Sequence, residues 1–202
     1  MLFPFFLLSV SVLAVAFDSS QYDAVFAKLG VNEQVQDAES LNEGVLKYLS
    51  GKENALPAAF NTREQQHMFD VKRIFEVMQR MIVAFPLVFV AAMIKWGSRK
   101  KAMLAEAARI GSLIALVLFL CLTPLMAFAF PSLFAAFHGI FFEEGSYLFD
   151  PSTELLVQLY PEGLFFALAW RIALLAVLLA SLSLFFGVLM KKNLKQKVGK
   201  SS

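Results

Sequence analysis

His67 and His138 are the only two histidines in this 202-residue chain. An imidazole with an unperturbed pKa of about 6.5 is the side chain best suited to proton transfer near neutral pH. Downstream of His67, Asp70, Val71 and Ile74 follow at i+3, i+4 and i+7, so a helix here places them on one face. Asp70 can therefore orient His67 or fix its tautomer, as a carboxylate does beside a catalytic histidine. The plainer alternative pairs Asp70 with Lys72 or Arg73, and leaves each histidine as an interfacial group bonded to a carbonyl. Glu143 and Glu144 could join the histidines and Asp70 around a metal, but no dense ligand motif such as HExxH occurs. No metal and no cofactor are expected. Cys121, the single cysteine, reads as packing inside an apolar run, where a thiolate is disfavoured.

The elements that must position these residues are membrane helices. Hydrophobic residues make up 58% of the chain, 22 of them Phe, and charged residues only 17%. That excludes a disordered chain and exceeds an ordinary soluble domain. A net charge of +2 argues against a nucleic-acid partner.

Apolar runs place a first span at about 2–17, a second at about 77–96 ending at Trp96, a third at 110–130 and a fourth at 164–190. The first run contains Ala14-Val15-Ala16, which resembles a signal-peptide cleavage site. It lacks the basic n-region of a secretory signal, so a retained helix is expected. Lys95, Arg99, Lys100, Lys101 and Arg109 surround a loop at 97–109, and the tail at 191–202 is basic, whereas 130–163 carries five acidic residues and no Lys or Arg. The positive-inside rule then puts both termini in the cytoplasm and the segments 18–75 and 131–163 outside. The expectation is a single all-α membrane domain: a four-transmembrane-helix bundle with a small extracytoplasmic helical and loop cap.

In the first outer segment, sparse apolar positions such as Val25, Leu29, Leu41, Val45, Leu46 and Leu49 suggest two or three short amphipathic helices. Thr62 with Gln65 matches a capping box that opens a helix running without interruption into the second span, through Pro86. Pro124 is expected to kink the third span. The second outer segment is dense in rings: Phe137, Phe141, Phe142, Tyr147 and Phe149. Such rings suit an interface or a lipid-facing groove, and they put His138 on the same side as His67. Arg80 and Arg171 lie in the outer thirds of spans, where charges usually face the bundle or a cavity; either could bind a headgroup or polarise an ester carbonyl.

Two stretches carry a family likeness. One is Thr62-Arg63-Glu64-Gln65-Gln66-His67-Met68-Phe69-Asp70-Val71-Lys72. The other is Phe137-His138-Gly139-Ile140-Phe141-Phe142, followed by Tyr147-Leu148-Phe149-Asp150-Pro151 and Tyr160-Pro161-Glu162. With the layout of spans, they resemble the bacterial lipoprotein intramolecular transacylase family. The chain departs from that pattern in having Tyr147 in place of Trp and Glu154-Leu155 in place of Asp-Pro.

The resemblance implies an enzyme of the bacterial cell membrane that acts on diacylated lipoproteins; the charge pattern puts its site on the extracytoplasmic face among membrane lipids, and a monomer is expected. The resemblance also implies transfer of the sn-2 acyl chain to the α-amine of the lipoprotein's N-terminal Cys, and it assigns the catalytic positions to His67 and His138. One imidazole would take the amine proton. The other, Arg171, or backbone N–H groups around Gly139 could hold the oxyanion. The ring-rich segment would grip acyl chains. Two other classes fit the same residues: a metal-dependent lipid or lipoprotein hydrolase, and a non-catalytic membrane assembly factor.

Overall fold

A computed structural model describes residues 2–95 and 98–199, with side chains described except at 98–102 and 192–199. Trp96, the basic side chains at 99–101 and the lysines beyond Lys191 therefore lie outside the described residues. All regular structure among the described residues is helical: α1 (Phe3–Ala16), α2 (Ser20–Leu29), α3 (Val31–Gln34), α4 (Ala38–Leu49), α5 (Thr62–Lys95), α6 (Ser98–Phe141), α7 (Leu155–Leu159) and α8 (Glu162–Gly199).

Three of these helices are long and apolar enough to cross a membrane: Thr62–Lys95, Met103–Phe141 and Glu162–Lys191. A fourth crossing is reached only if α1 and α2, bent by 66°, count as one span. At 1.5 Å per residue the 14 residues of α1 reach about 21 Å, short of the roughly 30 Å of a hydrocarbon core.

Residues 98–109 and 131–141, expected as loops, are helical parts of α6. Ala129 is the one position in α6 with non-helical dihedrals, φ −138° and ψ 28°. The break thus sits by Pro131, which lacks the N–H for the Ala127 carbonyl and crowds it, rather than at Pro124. α5 passes through Pro86 as one helix.

Contacts group the backbone into two compact units. The first comprises Met1–Val12, Met78–Pro124 and Ile172–Ser202. Its buried core is Leu7, Ala115, Phe119, Ala176 and Ala180. Small residues set the helix spacing here, as in membrane bundles generally. A Cβ on Gly187 would stand 3.2 Å from the Arg109 backbone. Buried Ser112 donates to the Ala108 carbonyl at 2.8 Å and lies 3.0 Å from the Ser183 hydroxyl across helices. Phe6 stacks on Phe85 at 4.7 Å. Glu106 accepts from Arg109 and from Lys191 at 2.7 and 2.9 Å.

The second unit comprises Leu13–Val77 and Leu125–Arg171. Here α2, α3 and α4 bury Tyr22, Val25, Phe26, Val31, Val45, Tyr48 and Leu49. α2 stops at Gly30, whose φ of +69° ends the helix in the left-handed region and turns it into α3. Tyr22 donates to the Ala16 carbonyl at 2.8 Å, and Tyr160 donates to Asn42 at 2.9 Å, so these buried polar tips are satisfied.

The capping box of α5 lies one residue earlier than Thr62 and Gln65. Asn61 Oδ1 accepts from the N–H groups of Arg63 and Glu64 at 2.9 Å each, and Glu64 Oε2 accepts from the Asn61 N–H at 2.7 Å. Asn is the better cap because its short carbonyl reaches the free N–H groups of the first turn. Gln65 instead donates to the Phe60 carbonyl. The second Glu64 oxygen accepts from the Leu156 N–H at 2.6 Å, in the first turn of α7. One carboxylate, 1% exposed, thus serves two helix starts.

Replacing it strands N–H donors at both. Glu64→Ala is expected to lower stability by about 2–4 kcal/mol, the sum of a lost cap and an unsatisfied buried donor. Equilibrium unfolding in detergent, against the parent chain, checks this; a difference within error would show that water replaces the carboxylate.

Candidate active site

The first turns of α5 are amphipathic. Glu64, His67 and Met68 are its buried residues, at i, i+3 and i+4. This charged opening precedes the apolar stretch at 77–94, so His67 lies outside the membrane-spanning part of the helix. The last turns of α6 deliver His138.

The two imidazole rings stack with centroids 6.1 Å apart and planes 15° apart. Phe142 lies 4.6 Å from His67 and 5.4 Å from His138, between α6 and the segment that follows. Phe149 meets His67 edge-on at 5.3 Å. Tyr147 lies 5.1 Å from His138, and Phe134 presents its edge to it at 4.4 Å. The pair is therefore set in an aromatic box.

The surroundings fix the two imidazoles differently. His138 Nδ1 is 2.7 Å from the Phe134 carbonyl oxygen. A carbonyl only accepts, so Nδ1 carries the hydrogen and Nε2 of the neutral ring presents its lone pair. His67 is 7% exposed, and its Nδ1 is buried with no hydrogen-bond partner. Burial is the main cause that pushes the His67 imidazole down from 6.5 to about 4; His138 adds to the fall and Asp70 opposes it. His67 is thus held neutral at physiological pH, with an unmet polar atom inside the box.

The other expected site residues divide. Asp70 is half-buried and acts on His67 through its charge, without a hydrogen bond to it. Arg171 is not drawn to the histidines: its guanidinium donates to the Gln21 carbonyl at 2.8 Å. Gly139 lies inside α6, where its N–H belongs to the helical ladder and is no oxyanion donor. A Cβ at Gly139 would make only ordinary contact with the Tyr147 hydroxyl, at 3.8 Å. Phe142, Tyr147 and Phe149 enclose the imidazoles, while Phe137 and Phe141 are 41% and 54% exposed on the outer side of α6. Glu143 and Glu144 are exposed, and no group of three or more metal-ligating side chains forms among the described residues.

Sequence reasoning passed over the residues that hold the box. Arg63 pairs with Glu154 at 3.1 Å, donates to the carbonyls of Gly145 (2.8 Å) and Leu148, and stands 4.9 Å over the Phe149 ring. Glu154 also accepts from the Asp150 N–H at 2.6 Å. Arg63 and Glu154 are 91 residues apart, so no local spacing could pair them. The Asn61–Glu64 cap, by contrast, carried a readable signature.

A family model described as lipoprotein intramolecular transacylase Lit matches residues 1–166. The chain belongs to this family. Membership makes it an acyltransferase family member embedded in the membrane. An uncharacterized protein of Aquifex aeolicus (strain VF5) is 30% identical over 172 residues, 85% of this chain and 74% of the relative. Among solved structures, the membrane integral lipoprotein intramolecular transacylase Lit of Bacillus cereus shares the fold, with a TM-score of 0.78 at 20% identity over 99% of this chain and 93% of that one. A histidine-to-alanine variant of the same Lit aligns with a TM-score of 0.75, covering 96% of this chain and 90% of that one.

The His67 environment sets a pH dependence. The unfolded chain takes up this proton near 6.5 and the folded chain only near 4. Between those values the unfolded state binds more protons, so stability rises with pH across the window and falls on acidification. His138 and Asp70 are the titratable groups facing His67. Thermal midpoints in detergent from pH 4 to 7 should show a shallower slope for His67→Gln than for the parent; equal slopes would contradict a depressed His67.

Proposed function

We propose that the chain moves the sn-2 acyl chain of a diacylglyceryl lipoprotein onto the α-amine of the same lipoprotein's N-terminal Cys. The single observation that supports this best is the stacked histidine pair inside an aromatic box, each ring with a distinct role available. Its setting in a chain of this family supplies the substrate class.

His138 serves as the general base. Its Nε2 lone pair accepts the proton that the amine gives up as nitrogen bonds to the sn-2 carbonyl carbon. An α-amine with a pKa of about 7.7–8.0 supplies a substantial neutral fraction for attack near neutrality. His67, kept neutral, faces the developing oxyanion as a hydrogen-bond donor in surroundings where such a bond is strong. Collapse breaks the carbonyl carbon to glyceryl oxygen bond, and the His138 imidazolium returns its proton to that oxygen. The products are an amide at the Cys and a free sn-2 hydroxyl, so the mass of the lipopeptide is unchanged. Amine and ester belong to one bound molecule, which removes the entropy of bringing two reactants together and is worth up to about 7–11 kcal/mol. No acyl-enzyme is required. Phe137 and Phe141, exposed beside the pair, contact the acyl chains of a substrate held at the lipid surface.

The charge pattern supports an extracytoplasmic site. Lys95–Arg109 and the tail beyond Met190 carry the positive excess and mark the cytoplasmic side, with both termini there and the histidines opposite.

Mass spectrometry of a model lipoprotein's N-terminal peptide, from a host without its own N-acylating enzymes, tests the reading. An unchanged mass with one acyl group on the amine is expected. Loss of one acyl chain would indicate hydrolysis, and an untouched diacyl peptide would overturn the substrate. His67→Ala and His138→Ala should each lower conversion by about 10²–10⁴-fold with the protein still folded; retained conversion in both would favour a non-catalytic role.

A further inference from the structure

We propose that Arg63 is a positioning residue that fastens the segment 142–154 as a cover over the histidine pair, so that the acyl group passes to the amine and not to water. The inference rests on the proposed acyl transfer and adds what decides its outcome.

The contacts of Arg63 converge on one short stretch of chain. Its Nη2 donates to the carbonyls of Gly145 and Leu148, its Nη1 faces the carboxylate of Glu154, and its plane lies over Phe149. Only a planar fork with several fixed donors can do this at once; an ammonium cannot. The segment's own hydrogen bonds are local turns, such as Ser146 to the Glu143 carbonyl and Ser152 to Asp150, whereas Arg63 ties it to α5. Gly145 has a φ of +84°, and between Phe141 and Leu155 there is no helix. Yet this segment supplies Phe142 and Phe149 against His67, and Tyr147 against His138. Arg63 itself is one turn before His67 on α5. It therefore couples the helix that carries one imidazole to the cover that shields both. Glu64, its neighbour, anchors the far end of the same stretch through the Leu156 N–H.

Chemically, the cover matters because water and the amine compete for one carbonyl. Attack by water would break the same carbonyl carbon to glyceryl oxygen bond, releasing a free fatty acid and a lyso-lipopeptide with its amine untouched. A box of rings excludes that water. Releasing the cover is expected to slow transfer, by misplacing the rings around the imidazoles, and to admit hydrolysis.

The test uses the full-length protein in detergent with a synthetic diacylglyceryl lipopeptide, following N-acyl product and free fatty acid together. For Arg63→Ala, kcat for N-acylation should fall roughly 100-fold, the scale of an ångström-level misplacement, with KM little changed. Fatty acid release should rise from a trace to a sizeable share of turnover. Arg63→Lys, which keeps the charge by Glu154 but not the fork, should fall between. A folded Arg63→Ala variant with parental kcat and no fatty acid release overturns the proposal. If Arg63→Ala fails to fold, Phe149→Leu decides: it opens the box while leaving the carbonyl bonds of Arg63 in place. Fatty acid release then supports the cover, and its absence overturns it. His138→Ala run in parallel separates the two readings, since N-acylation retained there would overturn the histidine chemistry itself and not Arg63 alone.

Discussion

A carboxylate cannot be taken out of water unless donors replace the water, and Glu64 is nearly fully buried. Its two oxygens accept from the starts of α5 and α7, elements separated by more than ninety residues. That constraint sets the first turn of α5, and with it the direction in which His67 leaves the helix three residues later. It also sets where the chain re-enters helix after the segment that covers the histidines. Between these fixed points, Arg63 and Glu154 have only one place to meet. The polar frame is satisfied by charge-assisted hydrogen bonds, and the rings it carries are free to be wholly apolar.

That division of labour explains how two imidazoles can sit among phenylalanines and remain useful. Burial among rings costs His67 its charged form. A neutral ring is what both acid–base roles require, one nitrogen bearing a proton and the other a lone pair. His138 pairs off its spare N–H within its own helix, whereas the Nδ1 of His67 is left without a partner in a site that hydrophobic packing alone would not leave unmet. Polar atoms in such a state are concentrated where a ligand completes the set.

Much of this was legible in the residues, for reasons that also explain the rest. The long helices follow from apolar runs, and the continuous α5 from the absence of a breaker other than Pro86. The two histidines stand out because imidazole is the side chain whose ordinary pKa lies nearest neutrality. The density of rings at 134–149 read as a loop at an interface, but much of it is helix, because the pattern of Phe134, Phe137, His138 and Phe141 is also a helical one. Arg171 and Gly139 were drawn in by residue type, and geometry gives them other work. Arg171 reaches a carbonyl of α2, and Gly139 lies within the helical run of α6. The pairing of Arg63 with Glu154 is not visible in the sequence, because a contact across 91 residues leaves no local trace. The first apolar run reads as one span, but α1 alone has 14 residues, and a fourth crossing needs α1 and α2 together as one bent span.

The partner that orients His138 is a main-chain carbonyl. In hydrolases with a third side chain behind the histidine, replacing that side chain exposes the arrangement. Here the orienting atom belongs to every residue that could stand at position 134, so exchanging Phe134 alters a ring and not the oxygen. A survey of side-chain replacements would therefore see two histidines and no third member, however strongly the tautomer is fixed. The proton on Nδ1 is guarded by the regularity of the helix itself, and only a change that bends the last turns of α6 would release it. The early break at Ala129 lies outside those turns, leaving them straight where the imidazole depends on them.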